Sequence, residues 1–187
     1  MDTLTLLNSR RSVKNLTAPG PNPEQLAHIL QAALHVPDHG KLHPYRFIVI
    51  QNESMDKFET LLKQAAVEFN MDENSSKKIE RIARQTPLVI AVVAKIDPNI
   101  GKVPPAEQLL SAGCAAYSIQ LAANALGFDN VWISGKWVKG SALRKACACS
   151  EQDEIIALLR IGSDKDKDEK IERERKNADL NRLVSYL

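Results

Sequence analysis

The chain has 187 residues, of which 44% are apolar, so it is long enough to bury one substantial core. Its 25 basic and 23 acidic residues leave a formal charge of only +2, which does not indicate a broad cationic surface for nucleic acid. It contains neither the roughly 18 consecutive apolar residues of a membrane span nor the pattern of a secretory signal. We therefore expect a single domain, residues 1–187, that is cytoplasmic and binds a small molecule, with no nucleic acid and no membrane as partners.

Two adjacent arginines and a serine follow a short helix expected over residues 1–9. Arg10 and Arg11 carry planar, permanently charged guanidiniums that match phosphate oxygens, and Ser12 adds a neutral hydroxyl donor. This pattern favours a site for a phosphorylated ligand. The alternative is that the arginines only complement the dipole at the C-terminal end of the helix.

Helices and strands alternate along the first half of the chain. Residues with helical spacing predict a helix from Pro23 that ends before Pro37, with His28 on its solvent side. Two β-branched runs predict central strands, and the segments between them predict helices that cover a sheet face. These further elements are strands at 45–50 and 88–94 and helices at 54–70 and 74–84.

A long apolar helix dominates the second half. The range 106–126 is apolar almost all round and rich in small residues, so we expect it to be enclosed, as the spine of the subunit or of a dimer interface. Cys114 would then be a core residue, and Gly127 would end the helix. Further strands are predicted at 130–134, 155–161 and 183–187. The charged run 163–176 predicts a solvated arm or an exposed helix.

The cysteines and histidines do not predict catalysis or a metal site. Cys114, Cys147 and Cys149 cannot all pair with one another, and they are interpreted as reduced thiols without a catalytic role. Three histidines recur at four-residue spacing at positions 35, 39 and 43, which on a helix would place three imidazoles on one face. Prolines and a glycine interrupt this segment, so a ligand-facing loop is expected instead of a metal site.

Five short motifs occur in an order that resembles a known family. They are Arg10-Arg11-Ser12, Val36-Pro37-Asp38-His39, His43-Pro44-Tyr45, Ser111-Ala112-Gly113-Cys114-Ala115, and Gly127-Phe128 through Trp132 to Ser134-Gly135. Together they resemble the FMN-dependent nitroreductase family, most closely its compact bacterial YdjA-like branch of NAD(P)H nitroreductases. The resemblance extends to about Gly162. Neither a Gly-x-Gly-x-x-Gly motif after a strand nor a phosphate loop is present.

The resemblance implies an α+β, nitroreductase-like fold with a mixed, mostly antiparallel central sheet flanked by helices. It also implies an intertwined homodimer with FMN at the subunit interface, in which the range 183–187 adds a strand to the partner's sheet. The residues that match FMN contacts are Arg10, Arg11 and Ser12, then His35 and His39 from the other subunit, and Val131, Trp132 and Ile133 along the ring. The residues that match a nicotinamide nucleotide contact are Leu121, Ala122, Ala123, Asn124, Ala125 and Leu126, for which packing is an equally good explanation.

The function that the resemblance implies needs no catalytic side chain, since flavin N5 carries the hydride. NADH or NADPH would reduce the flavin, which would then reduce a nitroaromatic, quinone-like or other electron-poor acceptor in a ping-pong cycle. The alternatives are a non-catalytic flavin-binding or sensing module, and another reduction on the same scaffold, such as enone reduction or reductive dehalogenation. This chain departs from the family at Lys14 and His35, where arginine is common, and whether Lys165 or Lys167 contacts the phosphate stays open.

Overall fold

The computed structural model describes residues 2–166 and 179–187, which form an α+β fold with helices on both faces of a five-stranded sheet. The strands are β1 (Leu16–Thr17), β2 (Tyr45–Gln51), β3 (Leu88–Ala94), β4 (Asp129–Ile133) and β5 (Glu154–Asp164). The helices are α1 (Thr3–Ser9), α2 (Pro23–Ala32), α3 (Ser54–Glu68), α4 (Asn74–Ala83), α5 (Pro105–Ala125), α6 (Lys136–Lys139) and α7 (Ser141–Ala146). Most of the predicted elements are therefore confirmed to within a few residues.

Strand β5 organises the sheet because it pairs in antiparallel fashion with β1, β3 and β4. Strand β2 pairs only with β3 among the described strands, so the prediction that residues 45–50 form a central strand was wrong. Strand β2 is largely apolar because α3 and α5 cover its two faces. Burial of a strand's faces does not show whether the strand lies in the centre or at the edge of a sheet. The ladders are all antiparallel, and an isolated parallel bridge joins Ser12 to Asn130.

Two apolar cores lie on opposite faces of the sheet. Every residue of β3 is buried, and successive side chains alternate between the cores, with Ile90 and Val92 on one side and Val89 and Ala91 on the other. The first core lies between the sheet and helices α2 and α5. The second lies under α3, α4, α6 and α7.

Helix α5 has two different faces. Its small residues Ala112 and Ala115 are fully buried against the sheet, whereas Leu110 is 68% exposed and Cys114 is also exposed. The helix is therefore not enclosed by its own subunit, and Cys114 is not a core residue of the single chain as predicted. The alternative that this helix forms the spine of a dimer interface stays a prediction. A helix that is apolar all round can bury only one face on one sheet, and its other face is left at the surface.

The C-terminal residues do not form the strand expected at 183–187. A 3₁₀ turn covers Leu180–Arg182, and the following residues have no strand partner in the described parts of the chain. Tyr186 is 93% exposed, because no edge of this chain's own sheet receives it. The first two residues of the charged run, Ser163 and Asp164, belong to β5, while residues 167–176 lie outside the described residues.

Other expectations are confirmed. His28 is exposed on α2, and Gly127 ends α5 with a φ of 87°. The short elements β1, α6 and α7 were not expected, since two to six residues carry too little periodicity to be recognised. Among the helices that the structure describes, none combines the length and apolar character that crossing a bilayer would take.

Candidate functional site

The segment that carries the two arginines is fixed to the sheet. Helix α1 begins at a cap in which Asp2 accepts the backbone N–H groups of Leu4 and Thr5, and it ends directly before Arg10. The backbone N–H of Val13 donates to the carbonyl of Asn130 on β4 at 2.9 Å. The arginines therefore lie beside the beginning of β4.

The side chains of Arg10, Arg11 and Ser12 are available to a ligand. Arg11 and Ser12 are exposed and Arg10 is half-buried. Within residues 2–166 and 179–187, no hydrogen bond or ion pair engages either guanidinium. Two adjacent guanidiniums with a hydroxyl beside them form a donor set that matches the oxygens of a phosphate.

A cavity of about 770 Å³ lies further along β4. Its apolar wall includes Leu109 and Gly113 of α5 and Trp132 of β4. Its polar side is formed by residues after β4 and by the loop before β5, which are Ser134, Gly135, Lys139, Arg144 and the range 151–154. This volume is within the range of small-molecule and cofactor sites.

Strand β4 connects the cationic segment with the cavity. Asn130 and Trp132 are two residues apart, which is a distance of roughly 7 Å along a strand. Because alternate peptide groups point to the same edge, the peptide of Trp132 faces the edge at which Asn130 accepts Val13. The indole Nε1–H donates to the carbonyl of Ile156 at 3.1 Å, which fixes the ring at the cavity wall.

The three predicted ring-contact residues therefore differ from one another. Trp132 lines the cavity, whereas the side chains of Val131 and Ile133 are buried in the protein, in contact with Val13 and with the second core respectively. The alternation of a strand explains this difference, since adjacent side chains point to opposite faces. Of the three, Trp132 lines the cavity, and a contact of Val131 or Ile133 with the ring stays a prediction.

Glycine is required where the chain leaves β4. Gly135 has a φ of 78°, in the left-handed region that favours glycine, and a Cβ there would meet no atom within 4 Å. The same openness is found at Gly113 on α5. The two glycines keep the cavity wide on both of its walls.

The two predicted histidine contacts lie away from this cavity within one chain. His35 is exposed, with Nε2 at 3.4 Å from Nε2 of Gln31. His39 pairs through Nδ1 with Oε2 of Glu107 at 2.7 Å, at the N-terminal end of α5. Neither histidine lines the cavity, and neither do Arg10, Arg11 and Ser12, so of the predicted flavin contacts only Trp132 forms part of its wall.

The histidine segment is a loop, as predicted. The carboxylate of Asp38 accepts the backbone N–H groups of Leu42 and His43, and Lys41 and His43 both have positive φ angles. The described ranges contain no group of three or more histidine, cysteine or acidic side chains arranged to hold a metal.

The predicted nicotinamide contact, residues 121–126, forms the last turns of α5. Ala123 is fully buried in the first core, and the Asn124 side-chain amide donates to the carbonyl of Phe128 at 2.8 Å. These contacts explain the segment as packing and as a helix end. Nicotinamide binding by these residues stays a prediction.

Two buried polar networks beside the arginine segment were not expected. The Gln120 amide donates to Oδ1 of Asn130 at 2.7 Å, and Asn130, which is fully buried, donates back to the Gln120 carbonyl. Arg160 of β5 is 3% exposed and donates to Thr86 Oγ1 and to two backbone carbonyls. An arginine inside an apolar strand is the signal in the sequence that could have revealed the second network.

The cysteines are not placed for nucleophilic chemistry. Burial raises the pKa of the Cys147 thiol to about 11, and burial also raises the pKa of Cys149. A thiol with a raised pKa is a weak nucleophile near neutral pH, and that the cysteines have no catalytic role stays a prediction. Cys114, Cys147 and Cys149 are all free thiols.

The chain was compared with known families and proteins. The sequence profile described as "Nitroreductase family" matches residues 7–163, which is most of the chain. The chain belongs to the nitroreductase family. These proteins are oxidoreductases, and membership accounts for the order of the five motifs found in the sequence.

Similar proteins of known sequence support this assignment. A Haemophilus influenzae protein with the provisional name NAD(P)H nitroreductase is 60% identical over 187 residues and covers 100% of both chains. The provisional NAD(P)H nitroreductase YdjA of Escherichia coli K12 is 41% identical over 163 residues, covering 87% of this chain and 88% of its own. The predicted resemblance to the YdjA-like branch of the nitroreductase family is thus confirmed.

Solved structures share the fold of this nitroreductase. A nitroreductase-like protein from Bacillus cereus superposes with a TM-score of 0.86 at 19% identity, covering 100% of this chain and 96% of the other. A protein from Desulfovibrio desulfuricans, provisionally named a nitroreductase and solved in complex with FMN, gives a TM-score of 0.73. It is 19% identical, with coverage of 100% and 98%.

Proposed function

We propose that this nitroreductase binds FMN and uses it to transfer hydride from NADPH or NADH to nitroaromatic, quinone-like or other electron-poor acceptors. The observation that carries the proposal is the pair of guanidiniums at Arg10 and Arg11, which have no partner among the described residues. Their segment is fixed to the same strand whose Trp132 lines the cavity. A cationic segment and a cavity with one apolar wall, joined by one strand, suit a ligand with a phosphate and a flat ring.

The donor set fits FMN in charge and in shape. Arg10, Arg11 and Ser12 would hold the phosphate, ribityl and pyrimidine side, and the free peptide edge at Trp132 would face the ring. Bound flavin would supply the redox chemistry, taking hydride from the nicotinamide and passing electrons to the acceptor in a second step. The binding of FMN by a structural neighbour also supports this choice of cofactor.

The chain's own residues would contribute binding and charge. A guanidinium placed near the pyrimidine edge favours the negative charge that develops there on reduction. Trp132, held by Ile156, would keep water from one side of the chamber. The proposed reaction needs no side-chain acid or base, because the cofactor carries the hydride.

We further propose that the active form is a homodimer. Leu4 of α1 is 69% exposed and Leu110 of α5 is 68% exposed, and these two helices pack against each other on one side of the subunit. An apolar surface of this kind marks an interface. In the dimer, His35 and His39 of the partner would reach the cofactor, which accounts for their distance from the cavity in a single chain. The free thiols suit a reducing compartment, for which we propose the cytoplasm.

The absorption spectrum of the purified protein tests the cofactor directly. We expect a yellow protein that retains about one FMN per chain, and apoprotein that recovers this stoichiometry when FMN is added back. Arg10→Ala should lower FMN affinity by at least about tenfold through loss of charge-assisted hydrogen bonds. Lys57→Ala, which removes an exposed cation on α3, is the matched control and should bind FMN normally.

Anaerobic mixing with NADPH and then with NADH separates the enzyme from a flavin-binding module. Rapid bleaching of the bound flavin, followed by recovery on addition of a nitroaromatic, is the expected result. A yellow protein that neither donor bleaches would favour the binding or sensing module. Recovery with an enone or a halogenated acceptor, and not with a nitroaromatic or quinone, would favour another reduction on the same scaffold.

A further inference from the structure

The main chain between the two arginines and strand β1 crosses a buried guanidinium. Ser12 and Val13 are joined to Asn130 on β4, and Leu16 pairs with Asp164 on β5. Lys14 lies between these two attachments. Its carbonyl oxygen accepts a hydrogen bond from Nη1 of Arg160 at 3.0 Å.

Arg160 makes two further hydrogen bonds on the same side. Nε donates to Thr86 Oγ1 at 2.6 Å, and Nη2 donates to the carbonyl of Arg81 at 2.7 Å, near the end of α4. The guanidinium thus ties β5, the end of α4 and the N-terminal segment together. It is 3% exposed, and within the described ranges it forms no ion pair with a carboxylate.

Burying the Arg160 guanidinium lowers the free energy of unfolding. Burying a charge without a counter-ion carries a large penalty that three hydrogen bonds offset only in part. Burial, together with the nearby Arg81, lowers the pKa of Arg160 to about 10, which leaves it charged at neutral pH. An apolar residue would pack this strand at lower cost, so the penalty points to a role other than stability.

We infer that Arg160 is a positioning residue, which holds the Lys14 carbonyl and thereby fixes the orientation of Arg10, Arg11 and Ser12 toward the phosphate of FMN. This inference rests on the proposed function, since FMN is the ligand concerned. The Gln120–Asn130 pair holds the same segment from the other side through the Val13 N–H. Two independent polar contacts on the consecutive residues Val13 and Lys14 restrict the segment to one conformation, as a preorganised binding group requires.

The experiment compares Arg160→Gln with Thr86→Val. Arg160→Gln removes the bond to Lys14, whereas Thr86→Val removes a bond of the same buried network and leaves the contact between Arg160 and Lys14 in place. FMN affinity of each apoprotein is measured from the quenching of flavin fluorescence, and riboflavin, which lacks the phosphate, is titrated in parallel.

We expect Arg160→Gln to weaken FMN binding by about tenfold, or roughly 1.4 kcal/mol. The preference for FMN over riboflavin should fall with it, because the change acts through the phosphate donors. Thr86→Val should keep that preference, even where it lowers the melting temperature. Partial recovery of the preference by Arg160→Lys would further support the inference.

Hydrogen exchange of the apoprotein gives a second measurement that needs no ligand. The N–H of Val13, bonded to Asn130, and the N–H of Lys165, bonded to the Asn15 carbonyl, report on the two ends of the segment. We expect both to exchange faster in Arg160→Gln than in Thr86→Val. Equal exchange in the two variants would overturn the inference, and so would an unchanged preference for FMN over riboflavin.

The outcomes separate this inference from the proposed function. If the unmodified protein binds no FMN, the proposed function fails, and the exchange measurement alone decides whether Arg160 holds the segment. If Arg160→Gln does not fold, Arg160→Met, which also cannot donate to the Lys14 carbonyl, takes its place in every comparison. If neither variant folds, Arg160 serves stability and the positioning role is overturned.

Discussion

The two sides of the sheet differ in how completely their surface groups are partnered. On the side covered by α3 and α4, the carboxylate of Glu59 is paired with both Lys63 and Arg84, at 2.7 and 2.9 Å. On the side of α5, Leu110 is exposed and the guanidiniums of Arg10 and Arg11 have no partner within the described residues. The carboxylate on the first side is paired within one chain, although Val67 of α3 is 82% exposed there. The second side has the groups that a second subunit and an anionic cofactor would cover.

The largest effect is expected on dimer formation, from a charge introduced on the exposed face of α5. Leu110→Glu should raise the dissociation constant of the proposed dimer by about a thousandfold, which corresponds to ~4 kcal/mol, because a carboxylate would be buried without a partner. Sedimentation velocity over a range of concentrations measures this change. FMN should be lost together with the dimer if the partner's histidines contribute to the site.

Val67→Glu provides the matched control for this change. Val67 is 82% exposed on α3, on the opposite side of the sheet from α5, and a charge there should leave the oligomeric state unaltered. An unmodified protein that sediments as a monomer at every concentration would contradict the assignment of this surface.

Thiol reactivity sharpens the comparison at single residues. In the monomeric Leu110→Glu protein, iodoacetamide should alkylate Cys114 about a hundredfold faster than Cys147, because Cys114 is exposed and burial raises the pKa of Cys147 to about 11. In the unmodified dimer Cys114 should be protected. Mass spectrometry of the alkylated peptides at successive times distinguishes the two sites, and rapid labelling of Cys114 in the dimer would be the contrary result.

A third experiment compares the buried and exposed faces of α5 at adjacent positions. Ala115→Leu forces a larger side chain into a fully buried position and should lower the free energy of unfolding by about 1–3 kcal/mol. Cys114→Leu, in the Leu110→Glu background, should change it by less than about 0.5 kcal/mol. Urea denaturation measures both, and equal costs would mean that the two faces are packed alike.

Sequence reasoning found most of the fold because its signals are local. The spacing of apolar residues located α2 to α5, and continuous apolar runs located β3 and β5. The same signals could not show that β2 lies at an edge, or that α5 buries only one face, since both depend on what the rest of the chain covers. The range 183–187 forms no strand within this chain, because a strand forms only where an edge accepts it, and its addition to a partner's sheet stays a prediction.

The candidate site was predictable in part. The motifs gave Arg10, Arg11, Ser12 and Trp132, whose chemistry is carried by the residue type itself. Residues that act through a neighbour were missed, because the contact between Arg160 and the Lys14 carbonyl spans 146 positions of sequence. A charged residue in an apolar strand indicates that its side chain has a buried hydrogen-bond partner, but the sequence does not show which residue that partner is.

The smallest effect is expected on stability, from the charge of Glu59 on the side covered by α3 and α4. The hydrogen bond from Lys63, followed by that from Arg84, lowers the pKa of Glu59 below the ordinary value of 4.5. A carboxyl group with a lowered pKa stabilises the folded state above the pKa of the unfolded chain, and this contribution is lost as the pH falls through the folded value.

Glu59→Gln should therefore be less stable than the unmodified protein at pH 7, and the difference should shrink toward zero near pH 3. Because Lys63 and Arg84 are more than half exposed, solvent screens both pairs, and added salt should reduce the difference at pH 7 as well. Urea denaturation at the two pH values, with and without 0.5 M salt added (about a 4 Å screening length), measures it. A stability difference that is as large at pH 3 as at pH 7 would show that Glu59 contributes through packing and not through its charge.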